Sequence, residues 1–126
     1  MPLARIDIPQ GKSKTFRDTL GDVVYQAMRT TINVPEGDRF QIINEHRREN
    51  LHIDPDYLGI ARSADCILIQ ITLNEGRTLE QKKAFYLAIA DGCCERLGMR
   101  REDVFVNLVE VKRENWSFGN GIAQYA

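Results

Sequence analysis

Two residues of this sequence could do chemistry without a metal or a cofactor. Pro2 follows Met1. A small residue at that position permits removal of the methionine, which would leave a secondary amine at the chain terminus. Terminal amines titrate at roughly 7.7–8.0, well below lysine. Desolvation or a nearby cation lowers the value further. Such an amine can act as a general base near neutral pH, as an acid when protonated, or as a nucleophile that forms an iminium with a carbonyl. Arg77 is the second residue. It stands just before Thr78, where the pattern predicts a helix start. Helix starts favour anions, and a guanidinium adds two parallel donors for a carboxylate.

The other chemical signatures are missing. His46 and His52 lack a spacing suited to zinc and read as surface histidines. Gly11 and Gly76 are lone glycines rather than a phosphate loop or a dinucleotide fingerprint. No serine sits in a nucleophile elbow. Of the three cysteines, Cys93 and Cys94 are adjacent, so neither a disulfide framework nor a zinc site is expected. Buried, reduced thiols in a cytoplasmic protein are the expectation. A net charge of −1 gives no footprint for nucleic acid or an anionic membrane. The longest apolar run falls far short of a membrane span, and the first residues lack the layout of a secretory signal. No cofactor is implied.

The elements that must position these residues come as a repeat. Shifting the chain by about sixty-five residues lays 2–8 under 67–73, Gly11 under Gly76, Lys12 under Arg77 and Ser13 under Thr78. The register continues without a gap to Glu45 under Glu110, with Asp38 meeting Asp103 and Phe40 meeting Phe105. A pattern held over that length indicates internal duplication. The expected divisions of this single domain are a first repeat over about 2–46, a connector over 47–66, a second repeat over 67–111 and a tail over 112–126.

Each repeat reads strand–helix–strand. Residues 1–8 alternate as a short strand, with Ala4, Ile6 and Ile8 on one face. Ser13 is a candidate N-cap. Phe16, Leu20, Val23, Val24, Ala27 and Met28 then form one apolar stripe at helical spacing. Asn33 stands where a left-handed residue would end that helix, and 40–45 reads as a strand. In the second copy Thr78 and Gln81 make a capping-box pattern. Phe85, Ala88, Ile89, Gly92 and Cys93 form the stripe, Gly98 ends the helix, and 105–111 reads as the closing strand.

Strands joined by a crossover helix are normally parallel and right-handed. The expected fold is therefore α/β (α+β): a four-stranded sheet with both helices on the face of Ala4, Ile6, Ile8, Ile69, Ile71 and Leu73. The opposite face is expected to carry Leu3, Arg5, Leu68, Gln70, Thr72, Val106 and Leu108. That face is too apolar to stay in water, and no third helix remains to cover it, so an oligomer is expected. The connector, with Arg47, Arg48 and Arg62, reads as solvated. In the tail, Trp116 and Phe118 lie among glycines outside every helix stripe and must pack on something.

With Met-Pro opening a strand, two tandem βαβ units and no other catalytic motif, the chain resembles the tautomerase superfamily. Within it, Asp38-Arg39-Phe40-Gln41, Gln70–Leu73 leading into Gly76-Arg77-Thr78 with Glu80-Gln81-Lys82, and Trp116-Ser117-Phe118-Gly119 are similar to the malonate semialdehyde decarboxylase-like branch. The resemblance covers essentially the whole chain. It implies a homotrimer whose sheets form a central barrel. It also implies that Pro2 is the catalytic acid or base, that Asp38 orients water or tunes the proline, and that Arg77 binds a substrate carboxylate and polarises a carbonyl. Trp116 and Phe118 would wall the pocket. One departure is plain: the decarboxylases carry a second arginine in the turn before the second helix, and this chain has Asn74 and Glu75 there. Arg39, Arg47, Arg48 or Arg62 could supply that cation from elsewhere.

The leading expectation is keto–enol proton transfer on a small 2-keto acid or related carboxylate, with an N-terminal proline as acid/base. Decarboxylation of malonate semialdehyde is expected to be weak or absent. A malonate semialdehyde decarboxylase/hydratase-like activity on three-carbon oxo or acetylenic acids is the alternative. A non-catalytic trimeric binding protein, as in relatives of macrophage migration inhibitory factor, is the third reading.

Overall fold

The computed structural model describes residues 2–126. Whether Met1 is removed lies outside the described residues. In chain order the elements are β1 (Leu3–Pro9), α1 (Lys14–Thr31), β2 (Gln41–His46), β3 (Ile67–Asn74), α2 (Leu79–Leu97) and β4 (Val104–Val111). They form a four-stranded sheet in the order β2-β1-β3-β4. The pairs β1–β2 and β3–β4 are parallel, as two βαβ units require, and the units meet through an antiparallel β1–β3 pair.

Local chemistry sets the helix ends. The Ser13 hydroxyl accepts from the Phe16 amide at 3.0 Å and opens α1. Asn33, at φ 59°, turns the chain out of it. Thr78 and Gln81 form the reciprocal capping box: Gln81 N donates to Thr78 Oγ1 at 3.1 Å, and Thr78 N donates to Gln81 Oε1 at 2.9 Å. Gly98 closes α2 in the left-handed conformation at φ 63°.

Both helices cover one face of the sheet. Ala4, Ile6 and Ile8 of β1 and Ile67, Ile69, Ile71 and Leu73 of β3 are buried against Leu20, Val23 and Val24 of α1 and Phe85, Ile89 and Cys93 of α2. Burial, and secondarily the adjacent Cys94, pushes the Cys93 thiol up to about 12, so it stays protonated and inert. Among the described residues no helix is long and apolar enough to cross a membrane.

One expectation about the faces fails. Val106 and Leu108 pair with Ile69 and Ile71, so they share the helix-covered face and pack on the core. Strand alternation establishes two faces but not which residue of β4 lies beside which residue of β3. The open face instead carries Phe105, Asn107 and Val109 beside Leu68, Gln70 and Thr72, with Leu3, Arg5 and Ile42 further along. Phe105 and Val109 are 46% and 38% exposed there.

The helices approach closely at Gly92. A Cβ there would lie 2.6 Å from Cγ1 of Val23, a buried β-branched side chain with little rotamer freedom. Gly92→Val is therefore expected to cost about 2 kcal/mol of unfolding free energy through overpacking. Urea unfolding checks this, and Val23→Ala in the same background should recover part of the loss.

Candidate active site

The site begins where the two units meet at one end of the sheet. Pro2 is buried immediately before β1. The start of β1 lies between two chain segments. On one side Ala4 N donates to Phe40 O at 3.0 Å, two residues beyond Asp38. On the other, Leu3 pairs with Thr72, two residues before Asn74. Pro2 thus opens between the Asp38 turn and the end of β3.

Asp38 is carried by the turn after α1, where its amide donates to Pro35 O at 3.2 Å and Gly37 takes φ 84°. It is only 6% exposed. Burial holds its carboxyl above the ordinary aspartate value of 3.8, against the opposing pull of the amino-terminal charge and Arg77.

Arg77 is fixed by backbone. Nε and Nη2 donate to the Ile32 carbonyl at 3.3 and 3.1 Å, and Nη1 donates to the Asn74 carbonyl at 3.3 Å. Ile32 caps the C-terminus of α1, where carbonyls carry partial negative charge. These bonds use three of the five guanidinium N–H donors and leave one each on Nη1 and Nη2. Asp38 and Arg77 line one open cleft of about 620 Å³, together with Asn33, Asn74 and Glu75.

The tail completes the cleft. Trp116 Nε1 donates to Asn74 Oδ1 at 2.7 Å, tying the tail to the strand end that also holds Arg77. Trp116 and Phe118 stack at 5.4 Å, and Phe118 meets the Tyr125 ring edge-on at 5.1 Å. Trp116 and Phe118 touch residues that line the cleft, while Tyr125 and Arg113 line it directly. Pattern reading overlooked both. Tyr125 is one tyrosine near the chain end, and Arg113 one arginine in a charged run, so neither carries a motif.

The arginines expected to supply a second cation are engaged elsewhere. Arg39 faces Asp22 at 3.7 Å and lies over the Tyr25 ring. Arg47 pairs with Glu49, and Arg48 with Asp65 and the Ala64 carbonyl. Arg62 donates to the carbonyls of Tyr57 and Ile60. The cleft's second arginine is Arg113.

The repeat offers an internal contrast. Asp103 occupies the place of Asp38 in the second copy and is also buried. Its carboxylate oxygens accept from the Ser63 amide at 2.7 Å and the Ser63 hydroxyl at 2.6 Å. Lys12, the counterpart of Arg77, faces Asp65 at 3.3 Å. The connector therefore fills beside Asp103 the space that is open beside Asp38. The shared turn explains both aspartates, and only one of them faces a cleft large enough for a substrate. Among the described residues no His/Cys/Asp/Glu cluster suits a metal ion.

The structure is thus a βαβ-repeat sheet with an open cleft at the end of β1 and β3. Two family models described as tautomerase enzyme match residues 38–119 and 2–61. "Probable tautomerase YusQ" of Bacillus subtilis (strain 168) is 43% identical over 98% of this chain and 98% of its own. The structure of FG41 malonate semialdehyde decarboxylase inhibited by 3-bromopropiolate superposes with a TM-score of 0.91 at 33% identity, over 98% of this chain and 93% of that one. A second malonate semialdehyde decarboxylase, described with decarboxylase and hydratase activities, gives 0.91 at 31% identity, over 98% and 95%. The chain belongs to the tautomerase family, in its malonate semialdehyde decarboxylase-like branch, and is an enzyme of tautomerase type.

The Asp38 environment has a pH consequence. Its folded-state pKa is raised, so the folded state binds its proton more tightly than the unfolded chain does. Stability from this group is present at low pH and is lost as pH rises through the raised value. Asp38→Asn is expected to be more stable than the wild type at pH 7, with the gap closing as pH falls through the raised value towards the ordinary 3.8. Urea midpoints at pH 7 and pH 3 read the difference directly.

Proposed function

We propose that this enzyme moves a proton between carbon and oxygen in a small 2-keto acid or its enol. The observation that carries the reading is that Asp38 and a backbone-fixed Arg77 line one cleft at the end of the sheet where buried Pro2 begins. Arg77 binds the substrate carboxylate through its two remaining N–H groups, one from each terminal nitrogen. The amine of Pro2, freed by loss of Met1, takes the enol hydroxyl proton and delivers a proton to the adjacent carbon as the ketone forms. Asp38 stabilises the protonated amine from its buried turn and tunes its pKa. Trp116 and Phe118 pack behind Asn74 and Tyr125 and keep the wall in place.

A second reading is decarboxylation or hydration of a three-carbon oxo or acetylenic acid. It is favoured by the two malonate semialdehyde decarboxylases that superpose at TM-scores of 0.91. Against it stands the turn before α2, where Asn74 and Glu75 supply no cation, so the cleft's other arginine, Arg113, reaches it from the tail turn and not from the turn that carries Arg77. Decarboxylation needs the departing carboxylate held out of plane while a separate positive charge receives the electrons arriving on the carbonyl oxygen. Assays on phenylenolpyruvate and malonate semialdehyde, run side by side, separate the two. Rapid ketonisation with weak or absent decarboxylation is expected.

Arg77→Ala should lower kcat/KM on carboxylate substrates about a hundredfold, the equivalent of one charge-assisted pair of roughly 2–3 kcal/mol. Inserting an alanine before Pro2 should abolish turnover, because the amine moves by one residue. Full activity of the insertion variant, in protein whose N-terminal mass confirms loss of Met1, would sink the assignment of Pro2.

The open sheet face supports a homotrimer. Phe105, Val109 and Ile42 lie exposed on a face that no helix covers, and sheets rich in parallel pairs are normally covered on both sides. Sedimentation at micromolar concentration should show a single trimeric species. A stable monomer would overturn this part of the reading.

A further inference from the structure

We infer that Arg113 is the specificity-determining second cation of the cleft, and that the preferred substrates carry a second carboxylate at the end remote from Arg77. The inference rests on the reading above, in which Arg77 takes the first carboxylate.

Arg77 and Arg113 reach one cleft from different elements. Arg77 is set by the turn before α2. Arg113 opens the short 3-10 turn at Arg113–Asn115, directly before Trp116. That turn is fastened on both sides: Glu75 N donates to Val111 O at 2.9 Å, and Trp116 Nε1 donates to Asn74 Oδ1. The tail beyond it is folded back by Gln124. Its Oε1 accepts from Phe118 N at 2.9 Å, and its Nε2 donates to Gly119 O at 3.0 Å. This return places Tyr125 against Phe118 and under Arg113, whose guanidinium carbon lies 5.4 Å from the ring centroid.

The stacking matters for chemistry. An aromatic ring engages the flat face of a guanidinium and leaves its edge N–H donors available in the plane. Among the described residues no carboxylate is ion-paired with Arg113. Ring, tail turn and strand end together hold a cation whose donors are unspent. Arg77 differs in that its own donors are mostly taken by carbonyls, so it offers a single carboxylate-sized fork. A cleft of about 620 Å³ has room for more than a three-carbon acid. A monocarboxylate on Arg77 leaves Arg113 unmatched, whereas a chain ending in a second carboxylate satisfies both cations.

The test is calorimetric binding of succinate, glutarate and adipate, each against the unbranched monocarboxylate of equal carbon count. Wild-type protein, Arg113→Ala, Arg113→Lys and Arg77→Ala are compared, with circular dichroism confirming that each is folded. At least one dicarboxylate should bind the wild type about tenfold tighter than its monocarboxylate partner, as expected for an added charge-assisted contact. Arg113→Ala should erase that preference, lowering dicarboxylate affinity about tenfold more than monocarboxylate affinity, and Arg113→Lys should restore it in part. Turnover should follow, with KM for a dicarboxylic 2-oxo acid raised by Arg113→Ala and kcat little changed. No preference for any of the three dicarboxylates, or equal losses for both ligand classes in Arg113→Ala, would overturn the inference. Monocarboxylate binding that survives Arg77→Ala would instead overturn the parent reading of the cleft.

Discussion

Two N–H groups of Arg77 rest on the carbonyl of Ile32, and much of the molecule follows from that contact. Ile32 ends the helix of the first βαβ unit, and Arg77 precedes the helix of the second. The bond therefore joins the two halves at the end of the sheet where the cleft opens. It also orients the guanidinium: three donors are anchored and the remaining two are left for a ligand. A long, flexible side chain loses about 2 kcal/mol of rotamer entropy when fixed. Here that ordering is completed in the free protein by backbone acceptors. Asn74 extends the arrangement, since its carbonyl accepts from Arg77 and its side chain accepts from Trp116. One buried asparagine thus connects the Arg77 guanidinium to the tail.

The two βαβ units share a turn and differ in what lies beside it. Both copies make the same turn and bury an aspartate in it. In the second copy the connector leads into β3 and places Ser63 on Asp103, which satisfies that carboxylate completely with an amide and a hydroxyl. Asp103 is thereby an anchor for the connector. Asp38 has the same backbone setting but faces the cleft, where burial raises its pKa and the charges of Arg77 and the amino terminus oppose the rise. Identical local chemistry has been separated into a connector anchor and a cleft-lining carboxyl by what the rest of the chain places next to it.

The tail shows how a segment without regular structure becomes a precise wall. Glycines permit its turns, Gln124 ties its ends, and three aromatic rings pack in sequence from Trp116 to Tyr125, the first pair stacked and the second edge-on. Aromatic pairs of this kind contribute about 0.5–1.5 kcal/mol each beyond area burial. The final ring supports Arg113, so packing energy in the tail is converted into the position of a charge.

The repeat, the strand–helix–strand grammar and the helix ends were all legible in the sequence, because they depend on interactions a few residues apart. Ser13, Thr78 with Gln81, Asn33 and Gly98 act within one turn of themselves, and the stripes of α1 and α2 follow from helical geometry alone. Pro2 could be nominated from residue type and position, and Asp38 and Arg77 from the family resemblance. Strand register could not be read in this way. Val106 and Leu108 were assigned to the wrong face because alternation has no phase until β4 is set against β3. A second arginine for the cleft was sought in Arg39, Arg47, Arg48 and Arg62, whereas Arg113 lines it, since only the folded tail brings position 113 to the cleft that position 77 also lines. Nor did spacing distinguish Asp38 from Asp103, which differ in their neighbours and not in their turns. Local hydrogen bonds and periodicity are encoded along the chain, whereas the pairing of strands, the filling of one cleft and the opening of the other arise from contacts between residues some forty positions apart, and these exist only once the sheet has formed.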